Sequence, residues 1–114
     1  MRYPVTPDGR YFVVRGRLWR MTDPSIPEGA RAALTKALMK ARRDIRDALR
    51  EKNAALEKDA RQRVHEAKVK LGERGEPWWT DGAPDYNRHF AKNTPYREWF
   101  EKQNSGALRS PLID

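Results

Sequence analysis

Hydrophobic positions change their spacing along this chain, and each change marks a different element. In residues 2–21, RYPVTPDGRYFVVRGRLWRM, short apolar runs are separated by turn signals. Thr6-Pro7-Asp8-Gly9 predicts a turn. Proline presets φ, aspartate accepts from nearby backbone N–H groups, and glycine takes a positive φ. Tyr11, Phe12, Val13 and Val14 are strand formers. Arg15-Gly16 supplies a second turn, and Leu18-Trp19-Arg20-Met21 returns beside the first run. The pattern predicts a three-stranded antiparallel meander with strands near 2–5, 10–14 and 17–21. A sheet this small needs cover on one face.

The spacing then becomes helical. Ser25-Ile26-Pro27-Glu28 reads as a capping box, and neither proline nor glycine occurs between Ala30 and Leu71. Apolar residues recur at Leu34, Leu38, Ala41, Ile45, Ala48 and Leu49, then at Leu56, Ala60, Val64, Ala67 and Leu71. Both sets keep the 3–4 spacing of one helical stripe. The stripe lapses at Lys52 and Asn53. A single long helix and two antiparallel helices both fit. The hairpin, turning near Arg50–Asn53, is favoured because it buries two thin stripes against each other, whereas a continuous helix would oblige dimerisation. Gly72 and Gly75 end the second helix. Residues 76–94 predict an ordered aromatic loop with one helical turn from Pro84 to His89. Thr94-Pro95 starts a short helix, PYREWFEKQ, with Tyr96, Trp99 and Phe100 on one face. The whole reads as an α+β single domain over residues 1–103. Within it lie the meander (1–24), the helical hairpin (25–72), and the aromatic loop with its short helix (73–103). Residues 104–114 read as a disordered tail.

Composition narrows this picture. Of the 114 residues 35% are charged and 38% are apolar, and 13 of the apolar ones are alanines that bury little each. The core is therefore thin, which fits narrow helical seams or completion by a second copy in a homodimer. The chain has no cysteine, which excludes disulfides and thiolate metal sites. It has no apolar run of signal-peptide or membrane-spanning length, so a cytoplasmic protein without membrane attachment is expected. The net charge is +8, but it is unevenly placed: +3 over residues 1–24, +6 over 25–72 and −1 over 73–114.

The stretches RYFVVRGRLWR, LGERGEPWWTDGAPDYNRH and AKNTPYREWF resemble a family of small proteobacterial proteins of unknown function. The resemblance covers most of the chain. It implies a small bacterial cytoplasmic protein, and it carries over no activity, ligand or functional residue.

Three constellations are candidates for function. The first is basic: Lys36, Arg42, Arg43, Arg46 and Arg50 lie away from the apolar stripe of the first helix, while Asp44, Asp47 and Glu51 crowd one flank. Such a face tracks phosphates, or is merely solvated with i, i+4 pairs such as Lys40–Asp44 and Arg43–Asp47. The second is Arg10, Arg15, Arg17 and Arg20 beside Tyr11, Phe12 and Trp19, a stacking platform unless the aromatics form core and the arginines are solvated or paired to Asp81 and Asp85. The third is a polar set in WWTDGAPDYNRH: Asp81, Asp85, Tyr86, Asn87, Arg88 and His89. Carboxylates with an imidazole suit metal binding or acid–base work. Gly82 and Pro84 break any helix before Asp85, and Trp78 and Trp79 read as core anchors. No cofactor or metal is expected. The leading expectation is a non-enzymatic binding protein whose partner is nucleic acid or an acidic protein surface. The alternative is a small metal-dependent or ligand-binding enzyme centred on Asp81, Asp85 and His89.

Overall fold

A computed structural model describes residues 3–103. The chain forms two compact units. The first holds the chain up to Met21 and again from Asp81, and the second is Thr22–Thr80.

In the first unit, β1 (Tyr11–Val14) and β2 (Arg17–Arg20) pair antiparallel, with Phe12 opposite Trp19 and Val13 opposite Leu18. Arg15 and Gly16 join them at φ 52° and 82°. Two successive positive φ values make the tight turn whose twist matches that of the strands. The expected third strand near 2–5 is replaced by a single bridge, Val5 to Phe12. Pro4 has no N–H to give to a ladder, although its carbonyl accepts from the Val13 N–H at 3.0 Å. The chain then turns at once. The Gly9 N–H donates to the Thr6 carbonyl at 2.9 Å, and the Thr6 hydroxyl donates to Asp8 at 2.7 Å.

The other edge of the sheet is covered by the loop that follows Asp81. The Leu18 N–H donates to the His89 carbonyl at 2.9 Å, Arg88 N–H donates to the Leu18 carbonyl at 2.7 Å, and Ala91 N–H donates to the Gly16 carbonyl at 2.8 Å. Arg17 bridges Phe90. The expected helical turn from Pro84 to His89 is instead a β-turn, closed by His89 N–H to the Tyr86 carbonyl at 3.0 Å with Arg88 at φ 72°. Edge pairing wins because an open strand edge leaves its backbone groups without partners. A 3-10 turn over Ala91–Asn93 leads to a short helix over residues 97–103, whose entry is held by the Thr94 hydroxyl accepting the Tyr96 N–H at 3.2 Å. Tyr11, Val13, Leu18, Arg20, Ala91 and Thr94 are buried in this unit.

The second unit is the helical hairpin. α1 spans Glu28–Arg50 and α2 spans Ala54–Lys70, with the break at Glu51–Asn53 where the stripe lapses. Leu38, Ala41, Val64, Ala67 and Leu71 form the seam, flanked by Leu34 and Ile45. Ala41 and Ala60 are fully buried, so the helices meet closely on small side chains. Leu49 and Leu56, which follow the stripe spacing, lie half-exposed beside the turn. Asn53 caps α2, accepting from the Leu56 N–H at 3.1 Å. The capping box expected at Ser25 does not form. α1 begins after Pro27 without a side-chain cap, and the Ser25 N–H and hydroxyl donate to Asp23 at 2.9 and 2.8 Å. The charged oxygen of Asp23 takes both Ser25 donors before the helix starts.

Both helices end in the same motif. The Asn53 N–H donates to Ala48 and the Lys52 N–H to Leu49; the Glu73 N–H donates to Lys68 and the Gly72 N–H to Val69. These are the paired bonds of a Schellman ending, whose turning residue is left-handed. It is Lys52 at φ 54° in one case and Gly72 at φ 80° in the other.

Candidate functional site

The polar set of the loop is absorbed by the first unit itself. The Arg20 side chain is 2% exposed and pairs with Asp85 at 2.5 Å. Asp85 also accepts the Asn87 N–H at 3.0 Å, and Asn87 Oδ1 accepts the Arg20 N–H at 2.9 Å. Asp81 pairs with Arg10 and accepts the Ala83 N–H at 3.1 Å. The Arg10 guanidinium holds the Asp81 carboxyl below the usual carboxylate range, and the Ala83 N–H adds to this. Tyr11 sits at the centre. Its hydroxyl accepts the Tyr86 N–H at 2.8 Å and lies 3.4 Å from Asp85. Burial, reinforced by the Asp85 charge, pushes it up to about 12.

Asp85, Arg88 and His89 therefore do not converge. The Arg88 guanidinium lies 6.0 Å over the Trp19 ring, and His89 is exposed, with its ring edge-on to Tyr86 at 5.9 Å. Among the described residues no three His, Asp or Glu side chains group to hold a metal ion. Trp78 and Trp79 belong to the second unit, where they are half-buried and packed edge to face at 5.2 Å.

The arginines are split by the fold. Arg20 is interior, whereas Arg15 forms the hairpin turn and Arg17 is exposed. The Arg17 guanidinium lies 4.0 Å over the Phe90 ring and donates to the Arg88 carbonyl at 2.8 Å. Pairing with Asp81 and Asp85 was one reading the sequence left open for all four arginines, and the fold realises it at Arg10 and Arg20. The role of Phe90 was not, because nothing local marks a loop residue as a strand partner.

On α1 the two aspartates are claimed by a few cations. Asp44 binds Lys40 at 3.1 Å and Arg63 of α2 at 2.9 Å, and these two partners keep it below its ordinary range. Asp47 takes Arg50 at 2.9 Å rather than Arg43. Lys36, Arg42, Arg43 and Arg46 are exposed, and among the described residues none of them has an ion pair. On a helix advancing about 100° per residue, they fall with Arg31 and Arg50 within one sector of roughly 140° to the side of the seam. An open groove of about 660 Å³ runs along this sector, lined by Arg31, Thr35, Lys36, Met39 and Arg43, with Glu28 its one acid.

No helix among the described residues is long and apolar enough to cross a membrane. Comparison of the chain with family models, curated proteins and solved structures finds no match.

Proposed function

We propose that this is a non-enzymatic nucleic-acid-binding protein that holds phosphates along the exposed flank of α1. The observation that carries the reading is the set Lys36, Arg42, Arg43 and Arg46, exposed and without ion pairs among the described residues, while the neighbouring aspartates are engaged by other cations. With Arg31 the row extends over about 22 Å of helix at 1.5 Å per residue, a length that meets several phosphates. The net charge of +8 favours nucleic acid over an acidic protein surface. An enzymatic centre at Asp81, Asp85 and His89 draws no support from the geometry, since both aspartates are tied to arginines. We further propose that the chain is one of the small bacterial proteins its motifs resemble.

Fluorescence anisotropy with labelled oligonucleotides at several salt concentrations tests the reading. Binding should weaken steeply with salt. The triple variant R42A/R43A/R46A should lower the slope of log K against log salt by about 2 to 3 on duplex. Absence of binding at low salt, or an unchanged slope in the triple variant, refutes it. Capture of an acidic polypeptide with no nucleic-acid affinity would reassign the flank to a protein partner.

A further inference from the structure

The first unit's sheet has two faces of opposite character. Tyr11, Val13, Leu18 and Arg20 lie inward and are buried. The outer face is assembled from four backbone segments. Directly paired residues share a face, so Val5, Phe12 and Trp19 form one row across the sheet. Arg88 continues that row, with its guanidinium over the Trp19 ring. Val14, Arg17 and Phe90 form the next row. Tyr3 flanks Phe12 with ring centres 6.0 Å apart.

Three observations separate this face from ordinary surface. Tyr3, Val5 and Phe90 are 43%, 43% and 39% exposed, which collects large apolar groups on one sheet face. Cations are interleaved with the rings: Arg17 and Lys92 lie 4.0 and 5.8 Å over Phe90. The three described aspartates of this unit are engaged elsewhere. Asp8 accepts from the Tyr96 hydroxyl at 2.6 Å, Asp81 binds Arg10 and Asp85 binds Arg20. Among the described residues Arg15, Arg17, Arg88 and Lys92 have no ion pair.

We propose that this face is a stacking platform for unpaired bases, so that the partner is single-stranded nucleic acid. The proposal rests on the nucleic-acid reading of α1 and adds the strandedness. Exposed rings on an antiparallel sheet accept the flat faces of bases, and cations beside them meet the phosphates. A duplex keeps its base faces stacked and has none to offer. An acidic protein would satisfy the cations and leave the rings unused.

The test uses the full chain with labelled oligonucleotides of about 12 nucleotides, single-stranded and duplex, a length that exceeds the few bases a small sheet can stack. The variants are Y3A/F90A and F90W, with circular dichroism and melting temperature as the check on folding. Phe90 and Tyr3 are chosen because they are the more exposed rings. The double variant should bind single strands roughly 10- to 100-fold less tightly, with duplex affinity and salt slope unchanged. F90W should retain single-strand affinity, because indole stacks as well as phenyl. An equal loss on both substrates, or single-strand affinity within about twofold of the parent, overturns the proposal. If the double variant is neutral while R42A/R43A/R46A loses affinity, the platform falls and the α1 reading stands. If the parent chain binds neither substrate, both fall together.

Discussion

Gly72 and Lys52 occupy the same position in the same helix ending, and exchanging their character separates two energies. Gly72→Ala adds a Cβ 2.8 Å from the Asp23 Cβ, 3.2 Å from the Trp78 ring and 3.3 Å from the Asp23 backbone nitrogen. It also places a side chain at φ 80°. The left-handed backbone costs about 1 kcal/mol. The overlap adds about 1–3 kcal/mol, because the Asp23 backbone has little room to yield. Its N–H donates to the Leu71 carbonyl at 2.9 Å, and its carboxylate holds Ser25 at the entry to α1. The expected total is about 3 kcal/mol, or a melting temperature about 10–15 °C lower. Lys52→Gly removes a left-handed side chain with the same backbone bonds and should stabilise by about 0.5–1 kcal/mol. Thermal and urea denaturation followed at 222 nm read both. The conformational term measured at Lys52 is then subtracted from the Gly72→Ala loss. A remainder below about 0.5 kcal/mol would refute the close approach of Asp23 to the helix end.

Asp85→Ala leaves the Arg20 guanidinium buried without its carboxylate and should cost about 2–3 kcal/mol in urea melts, less than the about 3–5 kcal/mol of a fully buried pair because Asp85 is a third exposed; a loss under about 1 kcal/mol would reduce that pair to a surface contact. Alkaline stability depends on Tyr11 and Tyr96. Burial raises both, with the Asp8 hydrogen bond adding at Tyr96, and Tyr11 reaches about 12. A tyrosine with a raised folded-state value contributes stability below its unfolded value near 10 and loses it as pH rises through the folded value. The melting temperature should therefore fall between about pH 10 and 12, and Tyr11→Phe should flatten that fall; an equal fall in the variant would remove Tyr11 from the effect. At the acid end, burial raises Asp8, but hydrogen bonds from Tyr96, Thr6 and the Arg10 N–H outweigh it. Its contribution is present above its unfolded value near 3.8 and is lost as pH falls further, so Asp8→Asn should lower stability at neutral pH and blunt the acid transition.

The sequence alone determined the elements whose signals are local. The helical stripes over residues 28–71 and their lapse at Lys52-Asn53 were legible, with the hairpin favoured over one long helix, and the turn at Thr6–Gly9 follows from residue chemistry. Gly72 as a helix stop was legible for the same reason. Tertiary structure decided what depends on distant backbone. Pairing of residues 88–91 with β2 turned an expected helical turn into a sheet edge, because backbone groups of an open edge require partners wherever in the chain these lie. It also moved Phe90 and Arg88 onto the face of Phe12 and Trp19, while burying Arg20, which in sequence looks like its exposed neighbour Arg17. Which arginines are free is a matter of which aspartates the fold brings to them, and spacing along the chain does not carry that information.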